Sequence, residues 1–229
     1  MKLSTSLFTL LLLATPMLAS EPLLLTPSDY PPAQILPSPP ADGSAEQKTE
    51  MAELKSIQAA MSEATWNTAL TDEETENVTA FAATLGPWFD LAKLPKTAAL
   101  FAQVRAEEKA AAKAAKNHFL RNRPWVVDAS LKTCTREDSP QSSYPSGHST
   151  VGFSAAVVLA HLMPDMADKI MARAKEYAEH RLVCGVHYRS DIIAGQVLGT
   201  LLAEELLANA KFKSDFEAAK AEIESARHH

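Results

Sequence analysis

Glycine is scarce in this chain of 229 residues, at 7, cysteine is scarcer still, at 2, and aromatic side chains make up only 7%. Two cysteines exclude a disulfide-built miniprotein, and so few glycines exclude a collagen-like repeat. The alanine- and leucine-rich remainder argues against an all-β fold. Basic charge is also lacking: a net charge of −6 argues against a nucleic-acid polymer as partner, which normally demands a basic surplus. Long apolar runs are missing too. The best internal candidate, Ile192 to Leu202, contains Gln196 and runs into Glu204 and Glu205. It reads as a buried core helix and leaves the mature chain without a membrane span. With 46% hydrophobic and 22% charged residues, the chain is an ordinary globular one. It is long enough to bury a core without metal or cross-links.

Proline is the exception, numbering 14, with more than half before residue 41. Residues 1–20 have the order of a secretory signal: Lys2, an apolar Leu7 to Leu13 broken only by Thr9, Pro16, then small residues at Ala19 and Ser20. Export to the periplasm or beyond follows. In that oxidising setting Cys134 and Cys184 form one disulfide, contributing roughly 4 kcal/mol in the chain-entropy model. Residues 21–43 carry seven prolines and read as an extended, surface-lying arm or a disordered leader. The helical domain occupies 44–229.

Within it, Ala45 to Trp66 has neither proline nor glycine and reads as one helix. Thr71-Asp-Glu-Glu74 looks like a capping box opening a second, stopped by Gly86-Pro87. A third runs from about Pro95 to the Phe119 region. A loop over 122–145 precedes helices at about 147–162, 165–184, 189–209 and 213–226. Loops of that length are often functional.

Three places resist explanation as fold. Ser146 is a natural N-cap with Gly147 and His148 behind it, and the N-terminus of a helix offers backbone N–H groups to an anion. His187 and Asp191 are four apart and share a face if helical, so the carboxylate can fix the imidazole tautomer and free the other nitrogen as nucleophile. Lys116, Arg123 and Arg181 add three cations. Together these groups suit phosphoryl transfer: cations and a helix N-terminus on the equatorial oxygens, His187 attacking in line, His148 protonating the leaving oxygen. The expected bridge would tie the loop to the segment between Arg181 and His187.

The spacing Lys-x6-Arg-Pro, Pro-Ser-Gly-His, Arg-x5-His-x3-Asp resembles the type-2 phosphatidic acid phosphatase and vanadium haloperoxidase superfamily. Leu36-Pro-Ser-Pro-Pro-Ala-Asp-Gly-Ser44, Ser143-Tyr-Pro-Ser-Gly-His-Ser-Thr150 and Cys184-Gly-Val-His187 resemble its secreted bacterial class A non-specific acid phosphatases in particular. The resemblance implies an all-α, compact helical domain and a phosphohistidine mechanism without metal or other cofactor. It implies His187 as nucleophile, His148 as general acid and Asp191 as the group orienting His187. Lys116, Arg123, Ser146, Gly147, His148 and Arg181 would bind phosphate. Small phosphomonoesters would be the substrates, and a homo-oligomer the assembly, with the proline arm able to reach a neighbour. One position departs from the pattern: His180 stands where a serine normally opens the third motif, and it reads as a helix-surface residue. Three rival readings are a soluble lipid- or diphosphate-directed phosphatase, a vanadate-dependent haloperoxidase (usually a much longer chain), and a non-enzymatic phosphate-binding protein.

Overall fold

The computed structural model describes residues 22–136 and 138–228; the expected signal peptide lies outside them. Among the described residues the elements are all helical. Seven longer helices follow in order: α1 Ala45–Ala60, α2 Glu63–Glu74, α3 Pro95–Phe119, α4 Gly147–Leu162, α5 Ala167–Val183, α6 Arg189–Ala208 and α7 Ala210–Arg227.

Helix α4 is the centre. It packs on α6, α5 and α3, and α7 closes over α3 and α6. Its own sequence is apolar on every side, as a helix surrounded by others must be. Val158, Leu159, Leu198, Leu202, Phe101 and Phe212 meet in the main core. Two glycines of α6 let it approach α4 very closely. A Cβ on Gly195 would stand 2.6 Å from the Ser146 carbonyl oxygen, and one on Gly199 would stand 2.4 Å from that of Thr150. Only hydrogen fits there.

The run expected as one helix over Ala45 to Trp66 is two. Met61 is extended, and Ser62 caps a new helix by accepting the Thr65 amide at 3.1 Å. A serine with Glu63 behind it can start a helix anywhere the preceding backbone turns out of αR, without glycine or proline. The break lets α2 fold down on α5. Thr71 opens no helix: it lies in the last turn of α2, where its hydroxyl donates to the Asn67 carbonyl at 3.2 Å. Asn77 instead caps a short 3-10 turn, Val78–Phe81, which leads into Ala82–Leu85 and ends at Gly86 with φ of 100°. The 122–145 loop contains a single helical turn, Pro124–Val127.

The proline-rich arm, expected as surface-lying or disordered, is anchored in the fold. Leu25, Tyr30 and Leu36 are buried in the main core, and the Leu24 amide donates to Glu107 of α3. Nor is it extended throughout, since it turns at 27–29 and makes one helical turn at Pro32–Ile35, and its few large apolar side chains supply the hold.

Gly195→Ala is expected to lower the unfolding free energy by about 1–3 kcal/mol, the usual cost of overpacking. Chemical denaturation measures it. An unchanged midpoint would mean that α4 and α6 can part without cost.

Candidate active site

The site forms where the N-termini of α4 and α6 meet the C-terminal ends of α3 and α5. Ser146 begins α4: its Oγ accepts the Ser149 amide at 3.3 Å, and its own amide donates to the Asp191 carbonyl at 2.9 Å. Gly147 follows, and a Cβ there would lie 3.5 Å from Lys116 Nζ. The last turn of α3 thus delivers its lysine to the first turn of α4. Beyond Lys116, Leu120 turns left-handed, with φ of 50°, and redirects the chain into Arg121 and Arg123.

His187 is 1% exposed. It precedes α6 in a turn, so the expectation that it shares a helical face with Asp191 is corrected. Asp191 is the third residue of α6, and its side chain curls back over the start of the helix. There Oδ2 accepts the Tyr188 amide at 2.8 Å and the Ser143 hydroxyl at 2.6 Å. Nδ1 of His187 stands 3.4 Å from the same oxygen, within ion-pair range but without hydrogen-bond geometry. On the other side of the ring, Arg123 Nη1 lies 3.2 Å from Nε2. A guanidinium can only donate. Nε2 therefore carries the lone pair and Nδ1 the proton, facing Asp191.

Arg181 is buried and pairs with the Glu73 carboxylate of α2; its Nε has no hydrogen-bond partner among the described residues. The backbone carbonyl of the same Glu73 lies 3.0 Å from His148 Nε2, and Glu76 Oε1 lies 3.2 Å from His148 Nδ1. Each group that sequence reasoning selected around phosphate thus stands in this one region. Cys134 and Cys184 are bonded, and the Cys134 amide donates to the Cys184 carbonyl at 3.2 Å. The bridge pins the loop to the turn between Arg181 and His187.

His180 is not on the surface. Its Nδ1 lies 2.6 Å from Asp72 Oδ2, and Asp72 also pairs with Arg173. Because α2 lies against α5, this position faces a neighbouring helix and the imidazole finds a buried carboxylate. Despite its own burial, Asp72 is held below the usual carboxylate range by hydrogen bonds from His180 and Arg173.

Sequence reasoning missed Arg121, Glu73 and Glu76, and met Ser143 only as a motif flank. Arg121 Nη1 donates to Asp191 Oδ1 at 2.6 Å, Nη2 donates to Glu50 at 2.6 Å, and the guanidinium lies 4.2 Å from the Tyr188 ring centre. The signal was faint: a second arginine two residues before Arg123, with no periodic pattern to mark it as buried.

The electrostatics follow from three cations in a dry place. Burial, then Arg123, Arg181, Lys116 and His148, pull the His187 imidazole well below its ordinary value. Burial and then Arg181 do the same to His148. Burial and Arg123 lower Lys116 to about 8. Such a cluster favours an anion among its members and keeps an imidazole neutral, with its lone pair free of a proton. Among the described residues, no group of three or more histidine, cysteine, aspartate or glutamate side chains is arranged to hold a metal ion.

A family model of the PAP2 superfamily matches residues 98–213. The match takes in all of these motifs. An acid phosphatase of Zymomonas mobilis is 34% identical over 203 residues, covering 86% of this chain and 76% of that one. This chain belongs to the PAP2 superfamily. Non-specific acid phosphatases of Providencia stuartii and Salmonella typhimurium are 33% and 32% identical over 117 and 113 residues. Those alignments span 47% and 45% of the two relatives' lengths. With these relatives, the chain is a phosphatase of the PAP2 superfamily. Its helices also superpose on those of a transmembrane PAP2-type phosphatidylglycerolphosphate phosphatase from Bacillus subtilis. The TM-score is 0.50 at 20% identity, covering 77% of this chain and 89% of that one. The PAP2 helical fold is thus shared with a membrane protein, although no helix among the described residues here is long and apolar enough to cross a bilayer.

Because Lys116 loses its charge as pH rises through about 8, inhibition by sulfate, which does not titrate there, should weaken across that range. Inhibition constants from pH 6 to 9 measure this. A flat profile would exclude Lys116 from anion binding.

Proposed function

We propose that this PAP2 phosphatase hydrolyses a broad range of phosphate monoesters through a phosphohistidine on His187, after export from the cell. The observation that carries the reading is the setting of His187. Its Nε2 lone pair faces a buried arginine, and its Nδ1–H faces a carboxylate braced by Arg121 and Ser143.

In the proposed cycle Lys116, Arg123, Arg181 and the amides at the start of α4 bind the phosphoryl oxygens, with Ser146 and Gly147 framing them. Arg123 exchanges His187 for a phosphate oxygen and so frees the lone pair. A bond forms from Nε2 to phosphorus as the ester P–O bond breaks, and His148 gives its proton to the departing oxygen. The imidazolium is stabilised by Asp191. Water then attacks phosphorus, the N–P bond breaks, His148 recovers a proton, and phosphate leaves. The scheme calls on no metal ion.

The pH dependence has a stated sign. His187 must be neutral, which its lowered basicity secures well into the acid range. His148 must be protonated, which burial and Arg181 oppose in the unliganded protein. The bound phosphate's negative charge offsets those cations, and acidic solution supplies the proton. A bell-shaped profile with a mildly acidic optimum is expected. The N-terminal segment, outside the described residues, and the Cys134–Cys184 bridge support export to an oxidising compartment.

Purified mature protein should release phosphate from p-nitrophenyl phosphate at mildly acidic pH in the presence of EDTA. Folded protein without this activity would sink the reading. His187→Ala should abolish phosphoenzyme trapping. His148→Ala should slow poor leaving groups by about 10²–10⁴-fold, the usual share of a general acid, and good ones far less. Equal losses for both would remove the general-acid role.

A further inference from the structure

The cleft that leads to Lys116 and Gly147 offers about 330 Å³, more than one phosphoryl group fills. One wall is helix α3, which brings Arg105, Lys109, Lys113 and Lys116 to it. Steps of four, four and three residues keep all four on one face. The opposite wall is the loop bearing Ser139, Gln141 and Ser142, and Ala112, Leu120 and Val151 supply apolar lining.

The cations in this cleft differ in what they already hold. Arg105 is engaged by Glu76 and Glu108. Lys109 and Lys113 are exposed to the cleft and make no ion pair with any described residue. Glu76 and Glu108 are the carboxylates lining the cleft, and Arg105 serves both. Burial also pushes the Glu108 carboxyl up to about 8, against the pull of Arg105. Beside Lys116, Lys109 and Lys113 are left without an ion-pair partner among the described residues, in a chain whose net charge is −6. A concave, low-dielectric wall focuses such a field instead of losing it to solvent.

We propose that Lys109 and Lys113 form a second anion subsite. The favoured substrates are then organic phosphates whose leaving half carries a further phosphoryl group. The proposal rests on the phosphatase reading of the main site and names the substrate class it prefers. Along the helix axis Lys113 stands about 4.5 Å and Lys109 about 10.5 Å before Lys116, at 1.5 Å per residue. That reach suits two phosphoryl groups on one small carbon skeleton, which Ala112, Leu120 and Val151 can contact. The hydroxyl and amide groups of Ser139 and Gln141 face the skeleton from the other side.

The test compares fructose 1,6-bisphosphate, fructose 6-phosphate and p-nitrophenyl phosphate with wild type and the double variant Lys109→Ala/Lys113→Ala. Two exposed charge pairs translate into a KM for the bisphosphate raised about fivefold. The kcat values, and the KM for the two monophosphates, should stay within about twofold. Lys169→Ala/Lys175→Ala, exposed positions on α5, makes the same change in net charge and should alter neither. An equal rise in KM for all three substrates would mean general steering and overturn the subsite, as would no rise at all. Normal p-nitrophenyl phosphate turnover in either case leaves the phosphatase reading intact. Its absence in folded wild type would strike that reading, and the subsite with it.

Discussion

The Asp191 carboxylate holds the candidate-site end of this molecule together. It is completely buried, and it accepts from Arg121, from Ser143 and from the Tyr188 amide, with the His187 ring beside it. The partners come from three parts of the chain: the turn after α3, the loop before α4 and the turn from α5 into α6, which carries both His187 and Tyr188. Burying a carboxylate is expensive unless it is paired and fully hydrogen-bonded, so the three segments converge or the charge is left unpaired. The backbone carbonyl of the same residue receives the Ser146 amide, which sets the N-terminal end of α4 against the start of α6.

Around that hub, α2 acts as a cover. Its C-terminal turn carries Asp72 to His180 and Arg173, Glu73 to Arg181, and the Glu73 carbonyl to His148. In the unliganded protein carboxylates therefore sit on two of the cations expected to hold phosphate, Glu73 on Arg181 and Asp138 of the loop on Arg123 at 2.9 Å. Glu73 both satisfies Arg181 when the site is empty and competes with any anion that enters. The segment owes its position to the interruption at Met61 and Ser62, without which α1 would continue away from the site.

How much of this was readable depended on the kind of signal. Helices with chemical punctuation were legible nearly to the residue: Pro95 opens α3, Ser146 and Pro164 bound α4, and the motif residues sit near the helix ends. The α1–α2 break was not legible, because Ser62 also reads as an ordinary helical residue and only tertiary contact with α5 rewards the turn. Thr71 erred in the opposite direction, since its side chain satisfied a capping pattern while its backbone was already helical. Lys116, Arg123, His148, Arg181, His187 and Asp191 were singled out by spacing, and the structure brings them into one region. Arg121, Glu73 and Glu76 were not, for they act through partners distant in sequence, and a single charged residue carries no sign of burial. His180 shows the same failure. The carboxylate that buries it lies 108 residues away.

The closeness of α4 and α6 has a consequence for how the site tolerates change. At Gly195 and Gly199 the helices meet main chain against main chain, with only the Cβ atoms of Ser149 and Phe153 beside the contact. The distance from the amides at the head of α4 to the His187 turn is therefore a property of two rigid rods in direct contact. Rotamer changes in the surrounding leucines and valines cannot act on it as a wedge would. Drift in the core should consequently erode the durability of the protein well before it detunes the chemistry. The two glycines are in effect the gauge block from which the rest of the site is measured.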